Sequence, residues 1–256
     1  MRIVTFNVNG IRSAVQKGLW KWVASNNIDV LCLQEVKASI DQADIEEMND
    51  LGYHITWFEA EKKGYSGVAT FSKIKPENII RGIQNPAFDR EGRVLRTDFG
   101  DLTLLNCYFP SGSSGEDRHD FKMEFLAYFE EWIRPLKTER SGIIVLGDYN
   151  IVHQALDIHN PERKDNPSGY RPEERAWMDH WFDSGWQDAF RKMNPDTKSY
   201  SWWSYRAGSR QKDKGWRIDY CSVSDSLSSF ITGCSHDKNA AFSDHCPVVT
   251  DIEFNI

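Results

Sequence analysis

The stretch SGIIVLGDYN, residues 141–150, carries the first decision about the fold. Ile143, Ile144, Val145 and Leu146 form an unbroken apolar run, which predicts a strand buried on both faces. The run stops at Gly147 and delivers Asp148, Tyr149 and Asn150. Asp and Asn favour turns and tolerate unusual backbone angles, so this ending reads either as an ordinary turn or as polar groups presented by a core strand. The other strand ends separate the two.

Working outward, strand-like runs recur at RIVTFNV (2–8), DVLCLQE (29–35), YHITWF (53–58), SGVATFS (66–72), RVLRTDFGDLTLLNCYF (93–109), YSWWSY (200–205), RIDYCSVS (217–224) and HCPVVTDIEF (245–254). Within the fifth, FGDLT at 99–103 turns one strand into its hairpin partner. Helical periods lie between them. The clearest spans 118–137, where Phe121, Phe125, Phe129, Trp132, Ile133 and Leu136 share one stripe. Others span 17–26, 41–51 and 172–183, the last with Pro172 suited to a first helical turn and Trp177, Met178, Trp181 and Phe182 on its buried side. No repeat, low-complexity tract or linker divides the chain. Strands and helices mixed along the whole length predict one domain, 1–256, of two stacked sheets covered by helices.

Composition narrows the function classes. Of the 256 residues 40% are hydrophobic, enough for a full-sized core. No run approaches the roughly 18 apolar residues of a membrane span, and Met1 and Arg2 lead straight into a strand pattern, so a soluble, cytoplasmic protein without membrane partners is expected. Five widely spaced cysteines with no CxxC pair suggest reduced thiols rather than disulfides or a zinc site. The net charge of −7 argues against a protein that coats nucleic acid. It hides a local patch, because 191–217 holds eight basic residues against two acids, interleaved with Tyr200, Trp202, Trp203, Tyr205 and Trp216. That composition suits either a phosphate backbone with stacked bases or a solvated basic loop over core tryptophans.

Polar residues finish three of the apolar strands. The first ends in Asn7 and Asn9, the second in Gln34 and Glu35, and the 141–150 strand in Asp148 and Asn150. Asp219 lies within RIDY, and Asp244 and His245 directly precede the last strand. Each has an ordinary reading, Asn7 as a cap, Glu35 as a surface acid, His245 as a satisfied core histidine. Together they favour convergence on one rim. Clustered acids repel, so such a rim needs a cation or a histidine and substrate to share its charge. Oxygen ligands without thiolate suit a hard cation such as Mg²⁺, with Mn²⁺ able to substitute, and Mg²⁺ with oxygen ligands points to phosphodiester hydrolysis.

The ordered set FNVNGIRS (6–13), LCLQEVKA (31–38), KGYSGVA (63–69), EGRV (91–94), NCYFP (106–110), GDYNIVH (147–153), GWRIDY (215–220) and SDHCPV (243–248) resembles the exonuclease III family of apurinic/apyrimidinic (AP) endonucleases. LQE, GDxN and SDH mark the wider endonuclease/exonuclease/phosphatase superfamily, while KGYSGVA, EGRV and GWRIDY resemble its DNA-repair branch. The resemblance implies an α/β fold, a DNase I-like four-layer α/β sandwich of two mixed β-sheets packed face to face and flanked by helices. It further implies Glu35 as the main Mg²⁺ ligand, with Asn7, Asn9 and Asp244 beside it. Asp148 would orient or deprotonate the attacking water, and Asn150 would hold phosphate or water. His245, kept cationic by Asp219, would contact the scissile phosphate, and Tyr108 would contact it or help the leaving oxygen. Trp202, Trp216 and Ile218 would line a pocket for a base-less sugar, with Arg217 in the DNA-binding set. The loops 110–115 and 159–170 would contribute to duplex binding.

The expected activity is Mg²⁺-dependent cutting of double-stranded DNA 5′ to an abasic site in base-excision repair, leaving a 3′-hydroxyl. Blocked 3′ ends are expected as further substrates of 3′-phosphodiesterase and 3′→5′ exonuclease action, and the chain is expected to work as a monomer. A phosphoesterase of the same superfamily acting on non-DNA phosphates is the alternative. A catalytically silent DNA-binding module is disfavoured, because every candidate catalytic position is filled.

Overall fold

The apolar run 143–146 forms the middle of a strand from Gly142 to Asp148, buried along its whole length, in the computed structural model, which describes residues 1–254. In chain order the strands are β1 (Arg2–Asn7), β2 (Val30–Gln34), β3 (His54–Phe58), β4 (Val68–Ser72), β5 (Asn78–Arg81), β6 (Val94–Phe99), β7 (Leu102–Tyr108), β8 (Gly142–Asp148), β9 (Trp186–Asp188), β10 (Asp219–Ser224), β11 (Ile231–His236) and β12 (Val248–Ile252). They form two mixed six-stranded sheets, ordered β11-β12-β1-β2-β4-β3 and β5-β6-β7-β8-β10-β9. The helices are α1 (Ile11–Gln16), α2 (Leu19–Ser25), α3 (Glu46–Asp50), α4 (Pro86–Asp89), α5 (Glu116–Ile133), α6 (Leu136–Glu139), α7 (Pro172–Asp183) and α8 (Ala189–Met193).

Three apolar seams stack these elements. Between the sheets, Ile3, Val30 and Cys32 meet Leu104, Ile144 and Leu146. Trp20, Val23 and Met48 of α2 and α3 cover the outer side of the first sheet, and Phe125, Phe129, Trp177 and Trp181 of α5 and α7 cover that of the second. Each such buried side chain contributes roughly 1.5–3 kcal/mol relative to exposure, so the seams fix the order helix, sheet, sheet, helix. This is the expected four-layer sandwich. A polar clamp sets the sheets against each other: Gln34 Nε2 donates to Thr5 Oγ1 (2.9 Å) and Asn106 Oδ1 (2.7 Å), and Asn106 Nδ2 donates to the Ala69 carbonyl at 2.9 Å.

Strand register places the polar ends. Parallel pairing of β7 with β8 puts Tyr108 beside Asp148, and antiparallel pairing of β8 with β10 puts Asp219 on its other side. In the facing sheet Asn7 lies beside Gln34, one residue before Glu35. Gly147 makes the β7 pairing possible, since its φ is 139° and a Cβ there would lie 1.8 Å from the Cys107 carbonyl oxygen. Any side chain would push the two strands apart.

The segments differ from expectation where packing is local or exposed. YSWWSY is not a strand; Trp202 makes single antiparallel bridges to Trp216 and His245, because the segment crosses the rim between sheets rather than joining one. Strands β5, β9 and β11 lacked a sequence signal: β5 is a largely exposed edge, β9 has three residues, and β11 alternates small and polar residues. The 118–137 period divides into α5 and α6 around Pro135, and 17–26 belongs to a pair of short helices broken at Gly18.

Candidate active site

The rim where β1, β2, β7 and β8 end, beside the start of β10 and the approach to β12, gathers the strand-end residues. Asn7 Nδ2 donates to Glu35 Oε1 and to Asp148 Oδ2, both at 2.8 Å, and so ties the two sheets together across the rim. Its Oδ1 accepts from the Asn9 backbone N–H at 2.9 Å. Asn9, Glu35 and Asn150 all hold positive φ, at 46°, 50° and 53°. Asn tolerates this conformation, whereas for Glu35 it costs about 1–2 kcal/mol. The reason lies in the backbone after β2, where Gly10 and Ile11 donate to the carbonyls of Glu35 and Val36.

His245 and its three acids set the electrostatics. Nδ1 lies 2.9 Å from Asp219 Oδ2, which also accepts from Ser201 Oγ at 2.6 Å, and Nε2 lies 3.9 Å from Asp148 Oδ2. Burial by itself lowers an imidazole's pKa, but Asp219, then Asp148 and Asp244, outweigh it and push His245 up to about 10. It is an imidazolium at neutral pH. Burial, and next the charge of Asp219, push the Asp148 carboxyl up to about 7. Asn150 holds that carboxyl through its backbone N–H at 2.8 Å, and its Nδ2 donates to the Phe109 carbonyl (3.0 Å) and Asp148 Oδ2 (3.3 Å). Burial and the neighbouring Glu35 carboxylate push the Tyr108 phenol well above its ordinary value, so it stays a donor.

Oxygen donors for a hard cation converge on the other side of Asn7. Lys37 Nζ lies 2.7 Å from Glu35 Oε2 and 2.5 Å from Asn9 Oδ1, so positive charge is already welcomed between these two oxygens. Burial raises the Glu35 pKa, but the Lys37 charge and the Asn7 hydrogen bond more than offset it and keep the carboxylate ionised. One ligand atom each from Glu35, Asp148 and His245 also lie within 4.8 Å of one another. The His245 ring is engaged with Asp219 through Nδ1, and a hard ion prefers oxygen to imidazole, so the oxygens of Glu35 and Asn9 are the better fit to Mg²⁺ or a similar ion.

A cleft of about 480 Å³ opens over this rim. Trp202, Trp216 and Ile218 wall one side, the two indoles 5.7 Å apart at 70°. Trp202 Nε1 donates to Asp244 Oδ2 at 3.0 Å, and Asn9 Nδ2 donates to Asp244 Oδ1 at 2.9 Å. Tyr65 and Arg118 also line the cleft, with Arg118 paired to Glu91 Oε1 at 2.9 Å. Sequence reading assigned neither of these residues a role. Tyr65 lies inside the noted KGYSGVA motif and Lys37 inside LCLQEVKA, neither with a role assigned, whereas Arg118 carried no signal beyond a basic side chain. Ser111, Ser113 and Ser168 bring the 110–115 and 159–170 loops to the cleft edge.

The sequence model of the Endonuclease/Exonuclease/phosphatase family matches residues 4–245. The chain belongs to this family. It is 38% identical over 250 residues to a protein named exodeoxyribonuclease from Bacillus subtilis (strain 168), covering 97% of this chain and 98% of that one. Among solved structures it is similar to a 3′ phosphatase from Neisseria bound to product DNA hairpin (TM-score 0.92, 27% identity, 99% of this chain and 100% of that one). An AP endonuclease from Archaeoglobus fulgidus matches with a TM-score of 0.89 at 27% identity, over 99% of this chain and 100% of that one.

One expectation for this family member needs correction. Arg217 is fully buried, with Nε and Nη2 on the two oxygens of Asp157 (2.7 and 2.9 Å) and Nη1 2.7 Å from Asp188 Oδ2. Two buried carboxylates hold it inside, so it backs the pocket wall between Trp216 and Ile218 instead of contacting DNA. The basic 191–217 segment is likewise thinner than its composition suggests. Arg191 also pairs with Asp157 (2.6 Å), Tyr200 and Trp203 are core residues, and Tyr205 is the large aromatic that stands exposed.

Proposed function

We propose that the protein is a Mg²⁺-dependent AP endonuclease of base-excision repair that cuts duplex DNA 5′ to an abasic site and leaves a 3′-hydroxyl. The observation that carries this reading is the abutment of an acid and imidazolium pair, Asp148 and His245, on an indole-walled pocket. The pair suits phosphodiester hydrolysis, and the pocket suits a sugar without its base. The names of the similar proteins, an exodeoxyribonuclease, a 3′ phosphatase and an AP endonuclease, support DNA as the substrate and 3′-end processing as a second activity.

In this reading Asp148, fixed by Asn7 and Asn150, takes the proton of the attacking water. A carboxylate with a pKa near 7 is well matched to that task at neutral pH. His245 places fixed positive charge against the phosphoryl oxygens, and Tyr108 donates a hydrogen bond there. Glu35, with the Asn9 amide oxygen, would hold the divalent ion, whose contribution is charge stabilisation of the phosphate and leaving oxygen. Asp244 lies behind Asn9 as an ionised neighbour. The chain would act as a monomeric single domain, and among the described residues no helix is long and apolar enough to cross a membrane.

Incision of a duplex with one abasic site, followed on a denaturing gel, tests the proposal. Cutting on the 5′ side that stops on addition of EDTA is the expected result. An intact abasic duplex in the presence of Mg²⁺, alongside hydrolysis of inositol phosphates, would move the assignment to the non-DNA alternative.

A further inference from the structure

We infer that Trp202 determines specificity under control of the cation site, to which its indole is wired through Asp244 and Asn9. The inference rests on the metal-dependent reading above and deepens it. Four consecutive contacts make the connection: Glu35 Oε2 to Lys37 Nζ (2.7 Å), Lys37 Nζ to Asn9 Oδ1 (2.5 Å), Asn9 Nδ2 to Asp244 Oδ1 (2.9 Å), and Asp244 Oδ2 to Trp202 Nε1 (3.0 Å). The first two lie where a divalent ion would be held. The last is the wall of the pocket.

Each link is tight for a physical reason. Asn9 has one amide oxygen and one NH₂ group, taken by Lys37 and Asp244 respectively, so its plane cannot turn without disturbing both neighbours. Asp244 accepts from Asn9, Trp202 and Ser243, and although burial opposes its charge, His245 and these donors keep it ionised. The indole N–H is Trp202's single side-chain donor, and it is directed at this carboxylate. The ring is only half-buried, whereas the backbone around it is pinned: the Trp202 N–H and carbonyl pair with Trp216, and the Trp203 N–H donates to the Asp244 carbonyl, each at 2.9 Å. The segment therefore stays in place while the indole turns on its hydrogen bond.

A divalent ion at Glu35 and the Lys37 ammonium both favour the same oxygens. The ammonium and a divalent ion carry like charge and repel strongly at this range, so they cannot share the position without rearrangement. When Lys37 gives up Asn9 Oδ1, Asn9 reorients, Asp244 loses or shifts a donor, and the Trp202 N–H follows. The pocket width then depends on the cation, and by linkage a sugar seated against Trp202 tightens the cation by the same factor. A phenyl ring at this position would fill the wall but could not take part, because it has no N–H.

Indole ¹H–¹⁵N spectra without DNA read the coupling directly, with the Trp202 signal identified by its loss in Trp202→Phe. The expected result is a Trp202 shift whose Mg²⁺ midpoint matches calorimetric Mg²⁺ binding, with both lost in Glu35→Gln. Mg²⁺ binding without a Trp202 shift overturns this inference and leaves the metal-dependent reading standing. Absence of any Mg²⁺ binding overturns both. A second measurement compares Kd for an abasic duplex with a non-hydrolysable link, with and without Mg²⁺. The wild-type ratio should be at least about fivefold, the lower range of site-to-site coupling. It should fall to near one in Trp202→Phe. A purely structural role for the indole predicts equal weakening in both conditions and an unchanged ratio, which would also overturn the inference.

Discussion

His245 shows how much one side chain depends on its neighbours. The carboxylate of Asp219 at 2.9 Å, with Asp148 and Asp244, outweighs burial and holds the imidazole protonated, while burial and then Asp219 raise the Asp148 carboxyl as well, up to about 7. Proton abstraction needs Asp148 ionised, so kcat/KM rises as pH passes about 7; charge stabilisation needs His245 protonated, so it falls as pH passes about 10. A bell-shaped profile is expected, and Asp219→Asn moves its alkaline limb to lower pH. The same shift makes His245 a stabilising group at and below about 6.5, a contribution lost as pH rises through about 10. Asp148→Asn should lower kcat by about 10²–10⁴ with DNA binding largely kept, whereas Glu35→Ala should raise the Mg²⁺ concentration needed for half-maximal rate. Both are read from steady-state incision kinetics. Asp148, Asp219 and His245 were legible because acids and a histidine at strand boundaries stand out against apolar runs. Lys37 was not, since a lysine after a glutamate looks like an ordinary surface pair until the left-handed turn at Glu35 folds it back onto Asn9.

At the scale of elements, the site hangs on helices as much as on strand ends. Lys122 of α5 and Glu174 of α7 form a fully buried pair at 2.6 Å. Lys122 also donates to the Asn150 carbonyl at 2.8 Å, and Glu174 Oε2 accepts from the backbone N–H groups of Gly169 (2.7 Å) and Arg171 (2.9 Å). The pair thus joins the turn after β8 to the 166–171 turn, where Gly169 packs against Trp216. Lys122→Met leaves Glu174 buried without its counter-charge and should destabilise the fold by about 3–5 kcal/mol in urea denaturation. Adding Glu174→Leu should recover much of that stability. Turnover should stay low in the double variant, because the Asn150 carbonyl and the Gly169 N–H remain without partners. Helical periodicity revealed α5 and α7 from their aromatic stripes, since those faces bury against a sheet. It could not reveal the pair, because a charged residue on a helix reads as solvated when its partner is 52 positions away.

For the molecule as a whole, the four layers were readable because unbroken apolar runs such as 143–146 and 30–33 can be buried only between other layers. The strand order within each sheet was not, since it depends on pairings between β1 and β12 or β8 and β10 that local pattern does not encode. The place of Arg217 was hidden for the same reason. A count of basic residues over 191–217 treats Arg217 and Arg191 as available to DNA, yet both are held by Asp157. Exposed cations also stand outside that segment, at Lys62 and Lys63 next to Tyr65 of the cleft. Salt titration of DNA affinity separates the two kinds of positive charge. Each phosphate contact contributes a slope near 0.9 in log K against log salt, so replacing both lysines by Ala should weaken binding across sequences and reduce the slope by roughly 1–2. Arg217→Met should behave in the opposite manner. It leaves buried Asp188 without a counter-charge and Asp157 with Arg191 alone, and should cost about 3–5 kcal/mol of stability, while folded protein keeps the wild-type slope, since the buried Arg217 is held by these carboxylates. A slope reduced by Arg217→Met in protein shown folded by circular dichroism would return that residue to the DNA interface.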